Sequence, residues 1–238
     1  MTDLFIAGHG KNRNGSFDSG ATGFISKGEH KYMTENLFPA MKKYIPDGVK
    51  PIFHTSYNVY DYGDIVSLAK KYGSKTRVTE FHFDSASNQN AKGGHVIIYK
   101  NYKPDTLDIK LRNAIRDTVG INSAYGHRNY IGVSGRSDLA NVNRTAKGGI
   151  NYRLLELGFG SNKGDSDYMI KNVDMIAKEL VKAFYGKIKT TQKPAQKPTQ
   201  KTDKLYRVQV GAFSKLDNAK RLQNELIGKG YKDTFINW

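Results

Sequence analysis

The sequence predicts an α/β fold: a mixed, largely parallel sheet flanked by helices, followed by a small β-α-β module at the C-terminal end. Three observations lead there. Over residues 1–186, short runs rich in Ile, Val, Phe and Tyr alternate with amphipathic stretches of near-3.6 periodicity, the pattern of strands that return through helices. A tract of Lys, Pro and Gln without large apolar residues then interrupts that pattern. Beyond it, a last apolar–amphipathic–apolar succession closes the chain.

Taken in order, residues 4–7 read as the first strand and run into Gly8-His9-Gly10. A helix is predicted from Ser26 through Met33, Leu37, Met41 and Ile45. Residues 51–55, 78–83 and 96–99 are the next strands, short and rich in β-branched and aromatic side chains. Leu107, Leu111 and Ile115 mark a second helix, and residues 152–157 the last long strand. Met169, Val173, Ile176, Leu180 and Phe184 share one face of a closing helix. The degenerate repeat Gln192-Lys193-Pro194-Ala195, Gln196-Lys197-Pro198-Thr199, Gln200-Lys201-Thr202-Asp203 favours an extended, solvated tether, because proline stiffens the backbone and like charges repel. The expected domains are therefore 1–186, a linker at 187–203, and 204–238. The last would hold a strand at 206–210, a helix at 217–227 and a short strand at 234–236.

Composition narrows the function. A hydrophobic share of 38% with 11% aromatics suits a polar globular protein and argues against a disordered one. Against 22 Asp+Glu stand 38 Lys+Arg, a net charge of +16 that favours polyanionic surroundings: nucleic acid, an anionic membrane or an anionic cell wall. The basic tract has no aromatics interleaved with its lysines and no nucleic-acid-binding motif occurs, so nucleic acid is not an expected partner. No apolar run reaches the length of a membrane-spanning helix, so stable membrane insertion is not expected either. The absence of cysteine removes disulfides and thiolate metal ligands.

Four short segments carry the chemistry. His9 follows a strand between two glycines, which let the backbone turn sharply while the imidazole stays at the sheet edge; a plain loop histidine would look the same. Glu29 closes Ser26-Lys27-Gly28-Glu29, an S-x-x-E capping box in which its carboxylate would bond the helix start. His82 lies in Val78-Thr79-Glu80-Phe81-His82-Phe83-Asp84, where period-two alternation puts Glu80, His82 and Asp84 on one face, so that Glu80 or Asp84 could hold the His82 tautomer. Glu156 ends an apolar run just before Gly158 and Gly160; such a carboxylate needs a counter-ion (Arg153, Arg136 or Lys163), a proton or a role in chemistry. His30, His54, His95 and His127 lack such surroundings and are expected to be ordinary surface or supporting residues.

Together these segments resemble the zinc-dependent N-acetylmuramoyl-L-alanine amidases of the amidase-3 type. That family carries Gly-His-Gly after its first strand, a Gly-x-x-Glu entering a helix, a strand ending in His before Asn/Ala-rich residues, and a late Glu-x-Gly-Phe-x-Ser-Asn. Here these are Gly8-His9-Gly10, Gly28-Glu29, His82 before Asp84-Ser85-Ala86-Ser87-Asn88, and Glu156-Leu157-Gly158-Phe159-Gly160-Ser161-Asn162. Phe83-Asp84 departs from the usual Ala-Asn, and Gly28 meets Glu29 directly. The resemblance covers about residues 3–184. It implies that His9, Glu29 and His82 hold Zn²⁺, that Glu156 is the catalytic acid/base, and that the bond cut joins N-acetylmuramic acid to L-alanine in peptidoglycan. Arg136 and Arg144, in the polar stretch before the last strand, are candidates for a stem-peptide carboxylate. A zinc carboxypeptidase acting on the stem would use similar ligands.

The tail resembles the SPOR repeat, which binds glycan strands, through residues 206–214, Asn218-Ala219 and Gly230-Tyr231. These cover the opening half of a repeat, too little to bury a core alone, so self-association or docking is expected and a homo-oligomer through the tail is an open expectation. The first eight residues lack the basic start and apolar stretch of a signal peptide. The expectation is a protein made in the bacterial cytoplasm that acts on the wall and its glycans after release, as a phage or prophage endolysin. A lytic amidase of the sporulating mother cell, or a non-enzymatic basic protein that binds a wall polymer, are the alternatives.

Overall fold

The computed structural model describes residues 1–189, 210–213, 216–231, 234 and 236. In chain order they form β1 (Asp3–Ala7), β2 (Gly10–Lys11), β3 (Phe17–Asp18), α1 (Glu29–Lys31), a π-helical turn (Tyr32–Leu37), α2 (Phe38–Tyr44), β4 (Ile52–His54), α3 (Val59–Tyr62) and α4 (Ile65–Lys71). Then come β5 (Arg77–Asp84), β6 (His95–Tyr99), α5 (Thr106–Arg116), β7 (Gly126–His127), β8 (Tyr130–Ile131), β9 (Val133–Arg136), α6 (Ala140–Lys147), β10 (Asn151–Phe159), α7 (Lys163–Lys171), α8 (Val173–Tyr185) and α9 (Leu216–Gly228).

Six strands make one sheet in the order β4-β1-β5-β10-β6-β9. Every neighbouring pair is parallel except β10 with β6. The architecture is the mixed, mostly parallel α/β sheet that the alternation predicts. Strand alternation sorts the core onto its two faces. Phe5, Ala7, Phe81, Phe83, Leu155 and Leu157 pack with Met41, Leu111, Ile176 and Leu180 from α2, α5 and α8. Leu4, Ile6, Val78, Tyr152 and Leu154 pack with Val59, Ile65, Leu68 and Val142 from α3, α4 and α6. With both faces covered, the central strands read as near-continuous apolar runs rather than as clean alternation.

One charge lies deep in this core. Arg153, 1% exposed, donates from Nε to Asp108 Oδ1 at 2.6 Å and from Nη2 to Asp105 Oδ2 at 3.0 Å. The same two aspartates cap α5 reciprocally, so the ion pair ties β10 to the start of that helix.

The structure differs from the local reading at three places. The first helix starts at Glu29, not Ser26, because Gly28 takes φ +82° as the capping residue and ends the preceding loop there. The closing helix is two, α7 and α8, joined at Asn172 (φ −119°), whose side chain donates to Tyr168 O; Met169 and Ile176 still reach one core across the break. The edge strand β9, the two-residue strands β2, β3, β7 and β8, and helices α3, α4 and α6 carry no local signal, since each is short and the edge strand is half polar.

The chain divides into two compact units, Met1–Thr191 and Gln192–Trp238. In the first, backbone order continues past Gly186: Lys189 N donates to Tyr44 O at 2.8 Å, its ammonium pairs with Asp47, and Ile188 packs on the core. In the second, α9 spans Leu216–Gly228, where a helix at 217–227 is predicted. The strand predicted at 206–210 lies outside the described residues except for Val210, which is not in a strand. Thr234 and Ile236 are not in a strand either; Thr234 O accepts from Gln223 Nε2 at 2.8 Å. Among the described residues no helix is long and apolar enough to cross a membrane.

Candidate metal centre and catalytic cleft

His9, His82 and Glu156 lie at the C-terminal ends of β1, β5 and β10, the edge at which open parallel sheets form their clefts. Each is brought there by a different local device. His9 has φ +62°, a left-handed conformation that costs a non-glycine residue conformational energy and so needs support from its surroundings. Gly8 permits the close approach: a Cβ at that position would sit 2.1 Å from His82 Cε1. Its carbonyl is fixed by His30, whose Nδ1 donates to Gly8 O at 2.8 Å.

Glu29 enters from the first residue of α1 and is 2% exposed. The capping box does not form, and the helix start has no side-chain cap. Instead Glu29 Oε2 accepts from Ala21 N at 3.1 Å and lies 3.4 Å from His9 Nε2. Oε1 lies 2.5 Å from His82 Nδ1. One ligand atom from each of His9, Glu29 and His82 falls within 4.8 Å of the other two.

The outer nitrogens of both imidazoles are already committed. His9 Nδ1 is 2.7 Å from Asp18 Oδ2, and His82 Nε2 is 3.1 Å from Glu80 Oε1. Asp18 in turn accepts from Gly20 N and Asn58 Nδ2. Glu80, buried, accepts from Tyr152 OH at 2.6 Å and from Asn141 Nδ2 at 3.1 Å. A carboxylate that takes the outer N–H turns the inner nitrogen into a lone pair aimed at the cleft. Two such nitrogens and one carboxylate oxygen are the donor set of a four-coordinate divalent ion with one position left for water. The residues present fit such an ion.

The electrostatics agree. Burial alone would raise the Glu29 carboxyl, but the His82 and His9 imidazoles against it prevail and bring its pKa to about 2. Burial would lower His82 and His9; the carboxylates Glu29 and Glu80 on His82, and Glu29 and Asp18 on His9, hold both above the ordinary imidazole value instead. A cation at this point would replace those protons.

Glu156 is the register partner of His82 across β5 and β10, so the two side chains leave the same face of adjacent strands. It is partly exposed, and its Oε2 has no partner among the described residues. None of the three basic residues considered as its counter-ion serves it. Arg153 pairs with Asp108 and Asp105, Arg136 with Asp138, and Lys163 with Asp167. Burial, together with the negative charges of Glu29, Asp84 and Glu80, raises its pKa well above the ordinary carboxyl value, with His82 acting in opposition. A carboxylate left without a counter-ion beside a cation site is suited to accept a proton.

The two arginines are not brought together on one ligand position. Arg136, at the end of β9, is in a bidentate pair with Asp138. Arg144, on α6, donates from Nη1 to Tyr60 O at 2.8 Å and to Asn141 Oδ1 at 3.1 Å, with its guanidinium over the Tyr60 ring. Of the remaining histidines, expected at the surface or in supporting positions, His30 is a supporting residue through its bond to Gly8 O, and three of the four are buried. His30, His54 and His95 are 6%, 8% and 1% exposed, and only His127 is partly exposed, with Nε2 donating to Tyr102 O. Asp18, Asn141 and Tyr152 also support the site, and no motif or period in the sequence ties them to it.

Residues 4–185 match the family model described as N-acetylmuramoyl-L-alanine amidase. The chain belongs to this amidase family. Residues 177–237 match the SPOR domain model. A Staphylococcus aureus protein named "Probable autolysin PH" is 33% identical over 199 residues, which cover 77% of this chain and 38% of the relative; the chain thus matches little more than a third of that relative's length. The amidase-family unit also shares its fold with solved structures. The catalytic domain of the CD27L endolysin targeting Clostridia difficile has a TM-score of 0.57 at 21% identity, covering 79% of this chain and 98% of that one. The amidase Ami1 from Mycobacterium smegmatis has a TM-score of 0.58 at 17% identity, covering 78% and 95%.

Proposed function

We propose that the chain is a zinc-dependent N-acetylmuramoyl-L-alanine amidase, which hydrolyses the amide between the lactyl group of N-acetylmuramic acid and L-alanine in bacterial peptidoglycan. The observation that carries this reading is the placement of Glu156, without a counter-ion, beside two imidazoles and a carboxylate whose ligand atoms converge. His9 Nε2, Glu29 and His82 Nδ1 would hold Zn²⁺. When bound, the ion polarises the scissile carbonyl and acidifies a water molecule. Asp18 and Glu80 would each take the outer N–H of its imidazole, which keeps both rings correctly turned with the inner nitrogen towards the ion. Glu156 removes the proton from the attacking water and returns it to the leaving alanine nitrogen, so that one carboxyl serves both proton transfers. Arg136 spends Nε and one terminal nitrogen on Asp138, which leaves its other terminal nitrogen for a stem-peptide carboxylate; Arg144 is the second proposed contact.

The proposed setting is a phage or prophage endolysin, made in the bacterial cytoplasm and acting on the wall after release. Support comes from the fold shared with an endolysin catalytic domain and from the +16 charge, which favours anionic wall polymers. The SPOR-family segment would hold the enzyme on wall glycans. Digestion of purified walls tests the reading. New α-amino groups on alanine without new reducing ends support it; cleavage within the glycan, or only inside the stem peptide, overturns it.

A further inference from the structure

His95 opens β6 and is the register partner of Glu156 on the antiparallel side of β10, so the row across the sheet reads His82, Glu156, His95. Residues directly opposite in a sheet share a face, and neighbouring strands lie about 4.8 Å apart. His95 is 1% exposed, and neither ring nitrogen has a hydrogen-bond partner among the described residues. A buried imidazole left so costs free energy unless it gains a partner in the working state. Its neighbour has the complementary deficit, since Glu156 Oε2 is a buried acceptor without a donor.

The ring is held where it is. Tyr125 stacks on it with centroids 4.0 Å apart. The backbone before it is pinned on both sides: Gly94 N donates to Gly120 O, Asn122 N donates to Gly94 O, and Gly93 N donates to Asp165 Oδ2. A Cβ on Gly94 would lie 2.2 Å from Glu156 O, so the glycine brings β6 hard against the catalytic strand. Burial, with Arg136 acting in the same direction, lowers the His95 pKa to about 3, so the ring is neutral and carries one N–H.

We propose that His95 is a positioning residue for Glu156: its ring N–H donates to Glu156 Oε2, directly or through one water, and fixes the carboxylate on the attacking water. The proposal rests on the amidase reading for its kinetic effect but not for the contact itself.

Two measurements on the full chain test it. His95→Phe should retain zinc and leave KM within twofold while kcat falls about tenfold or more, the range expected for a hydrogen bond to a charged group. His95→Gln, which keeps an N–H donor, should recover most of that loss. A Phe variant with kcat within twofold of the parent, or equal losses in both variants, overturns the proposal. The second readout needs no turnover. In zinc-loaded protein the ¹⁵N resonance of the protonated His95 ring nitrogen should move when Glu156 is replaced by Gln; an unmoved resonance overturns the contact. Failure of the parent chain to release alanine amines, with that shift intact, would count against the amidase reading alone.

Discussion

His82 and Glu156 are Cα partners across the parallel pair β5–β10, and this register sets an imidazole of the candidate metal centre and a carboxylate without a counter-ion among the described residues side by side on one face. A one-residue slip would send either side chain into the opposite core layer with Phe81 or Leu155. The β-bulge between Glu156 and Phe159 comes only after the partnership is made.

Glu156→Gln should therefore keep fold and zinc while turnover falls by about 10²–10⁴, the usual loss for a catalytic acid/base. The variant also removes a carboxyl repelled by Glu29, Asp84 and Glu80, so its melting temperature should equal or exceed that of the parent. Metal analysis, thermal melts and muropeptide kinetics check this. Near-normal turnover would make Glu156 structural.

Metal binding and pH should be coupled through the two histidines. In the metal-free protein His82 and His9 are raised above 6.5, so the fold favours their protonated forms. Their contribution to stability is fully present below about pH 6.5 and is lost as pH rises through the raised values. Zinc needs neutral imidazoles, so the melting-temperature gain from added zinc should grow over the same rise. Glu29 acts at the other end: its stabilising contribution is present above 4.5 and is lost as pH falls towards about 2. Melts with and without zinc from pH 3 to 9 test both trends. Calorimetry near neutral pH, in buffers of different ionisation enthalpy, should show protons released on zinc binding. A zinc effect flat in pH would exclude the two imidazoles as ligands.

Glu80→Gln and Asp18→Asn should each weaken zinc binding by about 10- to 100-fold, because each removes the carboxylate that orients a ligand imidazole. Glu80 should cost more. It is buried and also holds Tyr152 and Asn141, whereas the Asp18 side chain is 39% exposed. Competition against a chromophoric chelator gives the order, and unchanged affinity in both variants would refute the supporting role.

A chain ending at Thr191 should still cleave soluble muropeptides but bind and lyse intact walls less well. Ending at Gly186 instead removes the Lys189–Tyr44 and Lys189–Asp47 contacts and the packing of Ile188, so that shorter form should melt at a lower temperature. Equal wall binding by the full chain and the form ending at Thr191 would refute a targeting role for the tail. Light scattering of the same pair tests whether the tail self-associates.

The sequence by itself determined the alternation of strands and helices, and with it the mixed α/β class. It also singled out His9, Glu29, His82 and Glu156. These signals are local: apolar periodicity follows the pitch of a helix or the pleat of a strand, and glycines beside His9 and after Glu156 mark sharp turns at strand ends. Only the tertiary structure decided what depends on partners distant in the chain. The S-x-x-E pattern offered Glu29 a cap, yet the carboxylate turned to two imidazoles 20 and 53 residues away and a loop amide, because Gly28 starts the helix at Glu29 itself. Whether Glu156 had a counter-ion hung on Arg153, which lies three residues before it on the same strand and thus on the opposite face, engaged with Asp108 and Asp105. Asp18, Asn141 and Tyr152 join the site through the β2–β3 ribbon, α6 and β10, and His95 through antiparallel register. No spacing in the chain encodes such contacts, because they exist only once the strands have paired.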